Sequence, residues 1–176
     1  MLFRSYNDLE IISGQGTIGV EILEDMKDIE FVFITVGGGG LIAGVANYMK
    51  SINPAINIIG CSPENSSVML NSLHENQIIN SPSKDTLSDG SAGGVEEGAI
   101  THTMCKNLID KVCLVSEDQI AEQIKNSLFI DKMLIEGAAA VAVASVMKLK
   151  EEVKGRNVAV IICGGNIGSD TLNTII

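Results

Sequence analysis

Residues 31–45 read Phe-Val-Phe-Ile-Thr-Val-Gly-Gly-Gly-Gly-Leu-Ile-Ala-Gly-Val, an apolar run that passes through four glycines into a helical pattern. Residues 31–36 predict a strand. Leu41, Ile42, Val45, Tyr48, Met49 and Ile52 recur at spacings of three and four and predict a helix over 41–52. Between them, Gly37, Gly38, Gly39 and Gly40 let the backbone approach a ligand closely, and the free N–H groups of the next helical turn face an anion. Each glycine costs about 0.5–1 kcal/mol relative to alanine in ordered structure. A bare connection needs only one or two, so ligand binding is the favoured reading.

Outward from this junction, strands and helices alternate. Helices are expected at 15–26, 65–76, 100–109, 117–130 and 136–150, and strands at 56–61, 111–115 and 157–163. Ser116, followed by Glu117 and Asp118, is a helix N-cap with acidic first-turn residues, and Gly155 is expected to end the last helix. Alternating elements with near-continuous apolar strands predict an α/β fold: a three-layer parallel sheet with helices on both faces. Ligands of such sheets bind beyond the carboxyl ends of the strands. Two glycine-bearing ends stand there, the tetraglycine turn and Cys163-Gly164-Gly165-Asn166. The glycine-rich stretch 80–98 is too long for an idle connection.

The chain has 176 residues, 45% hydrophobic and 19% charged, with a formal net charge of -10 and no Trp. One domain with an aliphatic core follows. The negative charge, uninterrupted by any Lys/Arg cluster, argues against nucleic acid and anionic membranes and leaves small molecules as partners. No apolar stretch is long enough to span a bilayer and no signal-peptide pattern occurs, so a cytoplasmic location is expected. Cys61, Cys105, Cys113 and Cys163 lack metal-finger spacing and read as free thiols; His74 and His102 are isolated, and no metal site is expected.

Gly14, Gly16 and Gly19 match the dinucleotide fingerprint G-x-G-x-x-G. The next strand ends in Val36 and four glycines where the fingerprint wants an acidic residue, so helix packing is preferred for them. Glu136 opens an apolar helix, where it serves either the helix dipole or a site. Asp89-Gly90 reads as a turn, and Cys163, at a strand's carboxyl end before two glycines, as a ligand contact.

Several motifs occur in order: Tyr-Asn-Asp at 6–8, Gly-Gln-Gly-Thr-Ile-Gly-Val-Glu at 14–21, Val-Gly-Gly-Gly-Gly-Leu-Ile-Ala-Gly at 36–44 and Pro-Glu-Asn-Ser at 63–66. Thr-Leu-Ser-Asp-Gly-Ser-Ala-Gly-Gly-Val-Glu at 86–96, Glu-Gly-Ala-Ala at 136–139 and Cys-Gly-Gly-Asn at 163–166 follow. Together they resemble the threonine/serine dehydratases, the ammonia-lyase branch of the fold-type II (tryptophan synthase β-like) pyridoxal-phosphate enzymes, which also includes serine racemase. The resemblance implies pyridoxal 5'-phosphate as cofactor and deamination of L-threonine or L-serine to a 2-oxo acid and ammonia. It implies that Gly37, Gly38, Gly39, Gly40 and the Leu41 N–H hold the cofactor phosphate. Cys163 would face the pyridine nitrogen, Glu136 would lie near the ring, and Gly90 would form part of the wall. A thiol with a reference pKa near ~8.5 is a neutral partner, which suits prompt loss of a β-hydroxyl.

The family's Schiff-base lysine lies in an N-terminal motif with no counterpart here. Lys27, Lys50 and Lys84 sit in neutral contexts, and no catalytic residue is identified. The chain is therefore expected to be the C-terminal large-domain portion of a longer enzyme over 1–176, inactive alone, and either a homo-oligomer or completed by an N-terminal segment. The positions aligned with the cation ligands of serine racemases are Ser62 and Val68. Serine racemisation and a non-catalytic phosphate-binding fragment are the alternatives.

Overall fold

The computed structural model describes residues 6–176. Its centre is a four-stranded, wholly parallel sheet in the order β3-β2-β1-β4, formed by β1 (Phe31–Thr35), β2 (Asn57–Pro63), β3 (Lys111–Val115) and β4 (Val158–Val160). Side chains alternate along β1. Val32 and Ile34 face a core shared with α1 (Leu9–Asp25), α2 (Gly40–Ile52), α3 (Val68–His74) and α4 (Ile100–Leu108). Phe33, Ile59 and Val115 face the opposite core, against α5 (Glu117–Phe129), α6 (Gly137–Lys148) and α7 (Ser169–Ile175). Burial on both faces is why β1 and β2 read as near-continuous apolar runs, and the expected three layers are present. No helix among the described residues is long and apolar enough to cross a membrane.

Several boundaries differ from the sequence expectations. The first helix begins at Leu9, capped by the Asp8 carboxylate, which accepts the Glu10 N–H at 2.9 Å. Three weak helix formers, Gly14, Gly16 and Gly19, mask its early turns in the sequence. Gly16 and Gly19 are where α1 lies against α2: a Cβ on Gly19 would stand 3.0 Å from the Met49 side chain and 3.1 Å from the Val45 carbonyl. Two of the three fingerprint-like glycines are thus a helix-packing feature within α1, while a Cβ on Gly14 would meet nothing within 4 Å. The last strand ends at Val160, short of Cys163, although the Ile161 N–H still donates to the Phe33 carbonyl at 3.0 Å. Helix α6 stops at Lys148, and Gly155, at φ 75, turns the chain toward β4. Helix α7 has no counterpart in the sequence reading; seven residues after a glycine-rich loop carry too little periodicity. Ser116 caps α5 as expected, in a full capping box with Gln119.

At the opposite end of the sheet from the strands' carboxyl termini, Glu30 binds the start of β4. One carboxylate oxygen accepts from Arg156 at 2.7 Å and the other from the Asn157 N–H at 3.1 Å. The backbone bond, and then Arg156, lower the Glu30 pKa below the usual carboxylate value. A depressed acid contributes stability above its unfolded pKa and loses it as pH falls through its folded pKa. Glu30→Gln is expected to unfold at lower urea concentration than wild type near neutral pH. That gap should close under acidic conditions, as a series of urea titrations across pH will show.

Candidate functional site

The chain leaves β1 through Val36 and enters α2 across Gly37–Gly40, at the carboxyl end of the sheet. Gly39 is the N-cap of α2 at φ 88, with no side-chain capping bond. Behind it pack Cys105, Met69 and Thr101; a Cβ there would come within 2.9 Å of the Cys105 sulfur. Only a glycine meets both the left-handed backbone and that contact. The first donor satisfied inside α2 is the Ala43 N–H, bonded to the Gly39 carbonyl at 3.0 Å. The N–H groups before it have no helical partner and present the positive end of the helix dipole.

The front of the turn is crossed by Tyr6. Its ring packs directly on Gly38, and its carbonyl oxygen would lie 2.8 Å from a Cβ on Gly40. The phenol oxygen accepts the Glu96 N–H at 2.9 Å, while Asn7 accepts the Ile100 N–H at 2.8 Å, fastening this strap to the start of α4. Gly37 meets the backbone of Ser91. Each of the four glycines therefore answers to a neighbouring length of chain. The expectation that a ligand alone explains the run is revised: packing requires these glycines as well.

What remains between these walls is a cavity of about 240 Å³. The structure brings all eight sequence-predicted residues, Gly37, Gly38, Gly39, Gly40, Leu41, Gly90, Glu136 and Cys163, to its lining. Tyr6, Thr35, Ser91 and Ala138 complete it. Sequence reasoning assigned these four no role: Tyr6, Ser91 and Ala138 fall within quoted motifs and Thr35 in the strand run, but each reaches the cavity through tertiary packing that a motif does not encode. Thr35 also donates to the Ala138 carbonyl at 2.7 Å, which ties the end of β1 to the first turn of α6. Asp89 accepts the Gly90 N–H at 2.8 Å and so serves the turn.

Glu136 is the N-cap of α6 but makes no capping bond. Its Oε2 accepts the Asn166 N–H at 3.0 Å, its own N–H donates to the Gly164 carbonyl at 3.1 Å, and its Oε1 faces Gly90. Among the described residues it is the one carboxylate on the cavity wall, and no Lys, Arg or His lines it. Cys163 is exposed as a residue, yet burial around its sulfur, and then the Glu136 charge, raise the thiol pKa. The thiol is protonated at neutral pH. The cavity thus sets the amides of the α2 N-terminus at one end and a protonated thiol beside the Glu136 carboxylate at the other.

These pKa shifts have a direct readout. Burial pushes the Cys61 and Cys105 thiols up to about 12, and Cys113 is buried too, so native alkylation reports Cys163. Glu136→Gln should move the pH profile of that alkylation to lower pH while leaving it above an ordinary thiol's. An unmoved profile would mean that the carboxylate is not felt at the sulfur.

The sequence profile of a family described as "Pyridoxal-phosphate dependent enzyme" matches residues 1–164. The L-threonine ammonia-lyase of Thermotoga maritima is 43% identical over 171 residues, covering 97% of this chain and 42% of that protein. The processed form of threonine deaminase isoform 2 from Solanum lycopersicum superimposes with a TM-score of 0.90 at 39% identity, covering 97% of this chain and 50% of that one. Serine racemase from Dictyostelium discoideum does so with a TM-score of 0.83 at 32% identity, covering 93% and 52%. The chain spans about half the length of the relatives it matches.

Proposed function

We propose that this chain, which belongs to the pyridoxal-phosphate dependent enzyme family, is the cofactor-holding portion of an ammonia-lyase that converts L-threonine or L-serine to a 2-oxo acid and ammonia. The observation that carries this reading is the cavity itself, where amides at the start of α2, without a hydrogen-bond partner among the described residues, share about 240 Å³ with Gly90, Glu136 and Cys163. The residues present fit the cofactor: a backbone cradle suits a phosphate monoester, and a wall poor in charge suits a flat heteroaromatic ring. Names of the relatives, threonine ammonia-lyase and threonine deaminase, support the lyase reaction.

When bound, pyridoxal phosphate supplies the electron-withdrawing ring that makes the substrate's Cα–H acidic. This chain's residues do the rest of the holding. The amides of Gly37–Gly40 and Leu41 would hold the phosphate. Gly90, without a side chain, and Glu136 would line the ring's pocket. Cys163, which keeps its proton on Sγ, would offer the pyridine nitrogen a neutral partner. Among the described residues no lysine lines the cavity, and on this reading a complementing segment would supply the amine that holds the cofactor. The reading of 1–176 as the C-terminal portion of a large domain, completed in a homo-oligomer or by that segment, rests on the half-length match.

Amide bonds to a charged phosphate contribute about 1.5–3 kcal/mol each, against about 4–15 kcal/mol for association. Weak binding follows for the chain alone. Titration of the 176-residue chain with pyridoxal phosphate should give weak saturable binding that Gly39→Ala abolishes. Co-expression with the upstream, lysine-bearing region of a homologous threonine dehydratase should restore 2-oxo acid formation. Failure to restore it would leave only a phosphate-binding module, and turnover by the chain alone would overturn the dependence on a second segment. Racemisation is the second reading, favoured by the likeness to serine racemase. Chiral analysis of serine incubated with the completed enzyme separates the two.

A further inference from the structure

We infer that Ser88 and Ser91 form a hydroxyl latch that fixes the ring-side wall of the cavity, and that both are positioning residues for the ligand held there; this rests on the cofactor reading above. The two lie at the ends of a short 3-10 turn, Asp89–Ser91, within the glycine-rich stretch 80–98, where no helix or strand holds the backbone. Ser88 is fully buried and Ser91 7% exposed. Their hydroxyl oxygens are 2.5 Å apart, and the Ser91 hydroxyl also donates to the Ser88 carbonyl at 3.2 Å. The Ser91 N–H closes the same turn onto the Ser88 carbonyl at 3.0 Å.

The latch bears on the cavity through what it holds between its ends. Gly90 faces the Glu136 carboxylate so closely that a Cβ would stand 3.0 Å from Oε1, and the Ser91 backbone meets Gly37, whose Cβ would lie 2.9 Å from the Ser91 carbonyl oxygen. The turn is thus a spacer between the glycine turn and Glu136. Upstream it is pinned by Glu117, whose Oε2 accepts the Leu87 N–H at 2.7 Å, and by Thr86, which accepts the Ser88 N–H at 3.1 Å. Downstream, Ser66 accepts the Gly93 N–H at 3.3 Å. Between these pins the Ser91 hydroxyl joins the turn's two ends, through the Ser88 hydroxyl and the Ser88 carbonyl. A buried donor–acceptor pair left half made is costlier than one absent from both sides, so removing either hydroxyl lets the turn relax. Gly37–Gly40, by contrast, are held by β1 and α2 and do not need the latch.

That asymmetry sets the test. Binding of pyridoxal phosphate and of inorganic phosphate to the 176-residue chain is measured by ligand-observed phosphorus NMR for wild type, Ser88→Ala, Ser91→Ala and the double variant, with melting curves for each. Pyridoxal phosphate, which touches the ring-side wall, should bind about tenfold more weakly to each single variant, equivalent to about 1.4 kcal/mol. The double variant should be no worse than Ser91→Ala, because that variant already loses both bonds of the Ser91 hydroxyl. Inorganic phosphate, which touches only the amide cradle, should bind all four alike. Unchanged pyridoxal phosphate affinity, additive losses, or equal loss for both ligands would overturn the latch. Should Ser91→Ala fail to fold, Ser88→Ala carries the same ligand comparison. Wild type binding neither ligand would overturn the cofactor reading itself, and the latch with it.

Discussion

The start of α6 is the point on which the cavity depends. There the Thr35 hydroxyl donates to the Ala138 carbonyl, joining the central strand to the helix, and the Glu136 backbone and carboxylate take up both the Gly164 carbonyl and the Asn166 N–H. Three lengths of chain far apart in sequence meet at these few bonds. The first turn of α6 is buried, and Ala138, Ala139 and Ala140 let it lie close to β1. A larger residue there would push the helix outward and carry Glu136 away from Gly90. The apolar helix Gly-Ala-Ala-Ala-Val-Ala-Val-Ala is therefore as much a determinant of cavity shape as the glycine run.

Electrostatics at the cavity follow from its opposite ends. The unpartnered amides of α2 carry partial positive charge without any titratable group, while the far wall holds one carboxylate and a thiol that burial keeps protonated. An anion bound at the amides is held by main-chain dipoles, in a chain whose formal net charge is -10. Such a cradle is insensitive to pH across the neutral range. It also avoids a lysine or arginine that would compete for the Glu136 carboxylate.

Much of this was legible in the sequence, for identifiable reasons. Strands buried on both faces leave near-continuous apolar runs, so β1 and β2 are legible, β3 is legible from its short run Val112–Val115 although Val112 is exposed, and Ser116 with Gln119 is a local cap that needs no tertiary knowledge. Gly90, Glu136 and Cys163, though widely separated, were found through ordered motifs, and the structure sets them on one cavity. Helix α7 and the first two turns of α1 escaped because short length and glycines erase periodicity. Tyr6 and Ser91 escaped for a different reason: their roles are contacts across the fold, which neither spacing nor propensity encodes.

The tetraglycine turn shows how one constraint can serve two ends. Tyr6, Ser91 and the α4 side chains press on it from three directions, so glycine is required whether or not an anion sits there. The same absence of side chains leaves the amides before Ala43 without a side-chain cap. Packing thus produces the proposed anion site as a by-product, with its rigidity already built in. A ligand entering it would meet a preorganised cradle and lose little to rearrangement. The entropy cost of four ordered glycines is borne by the fold, and the proposed phosphate site then rests on main-chain dipoles.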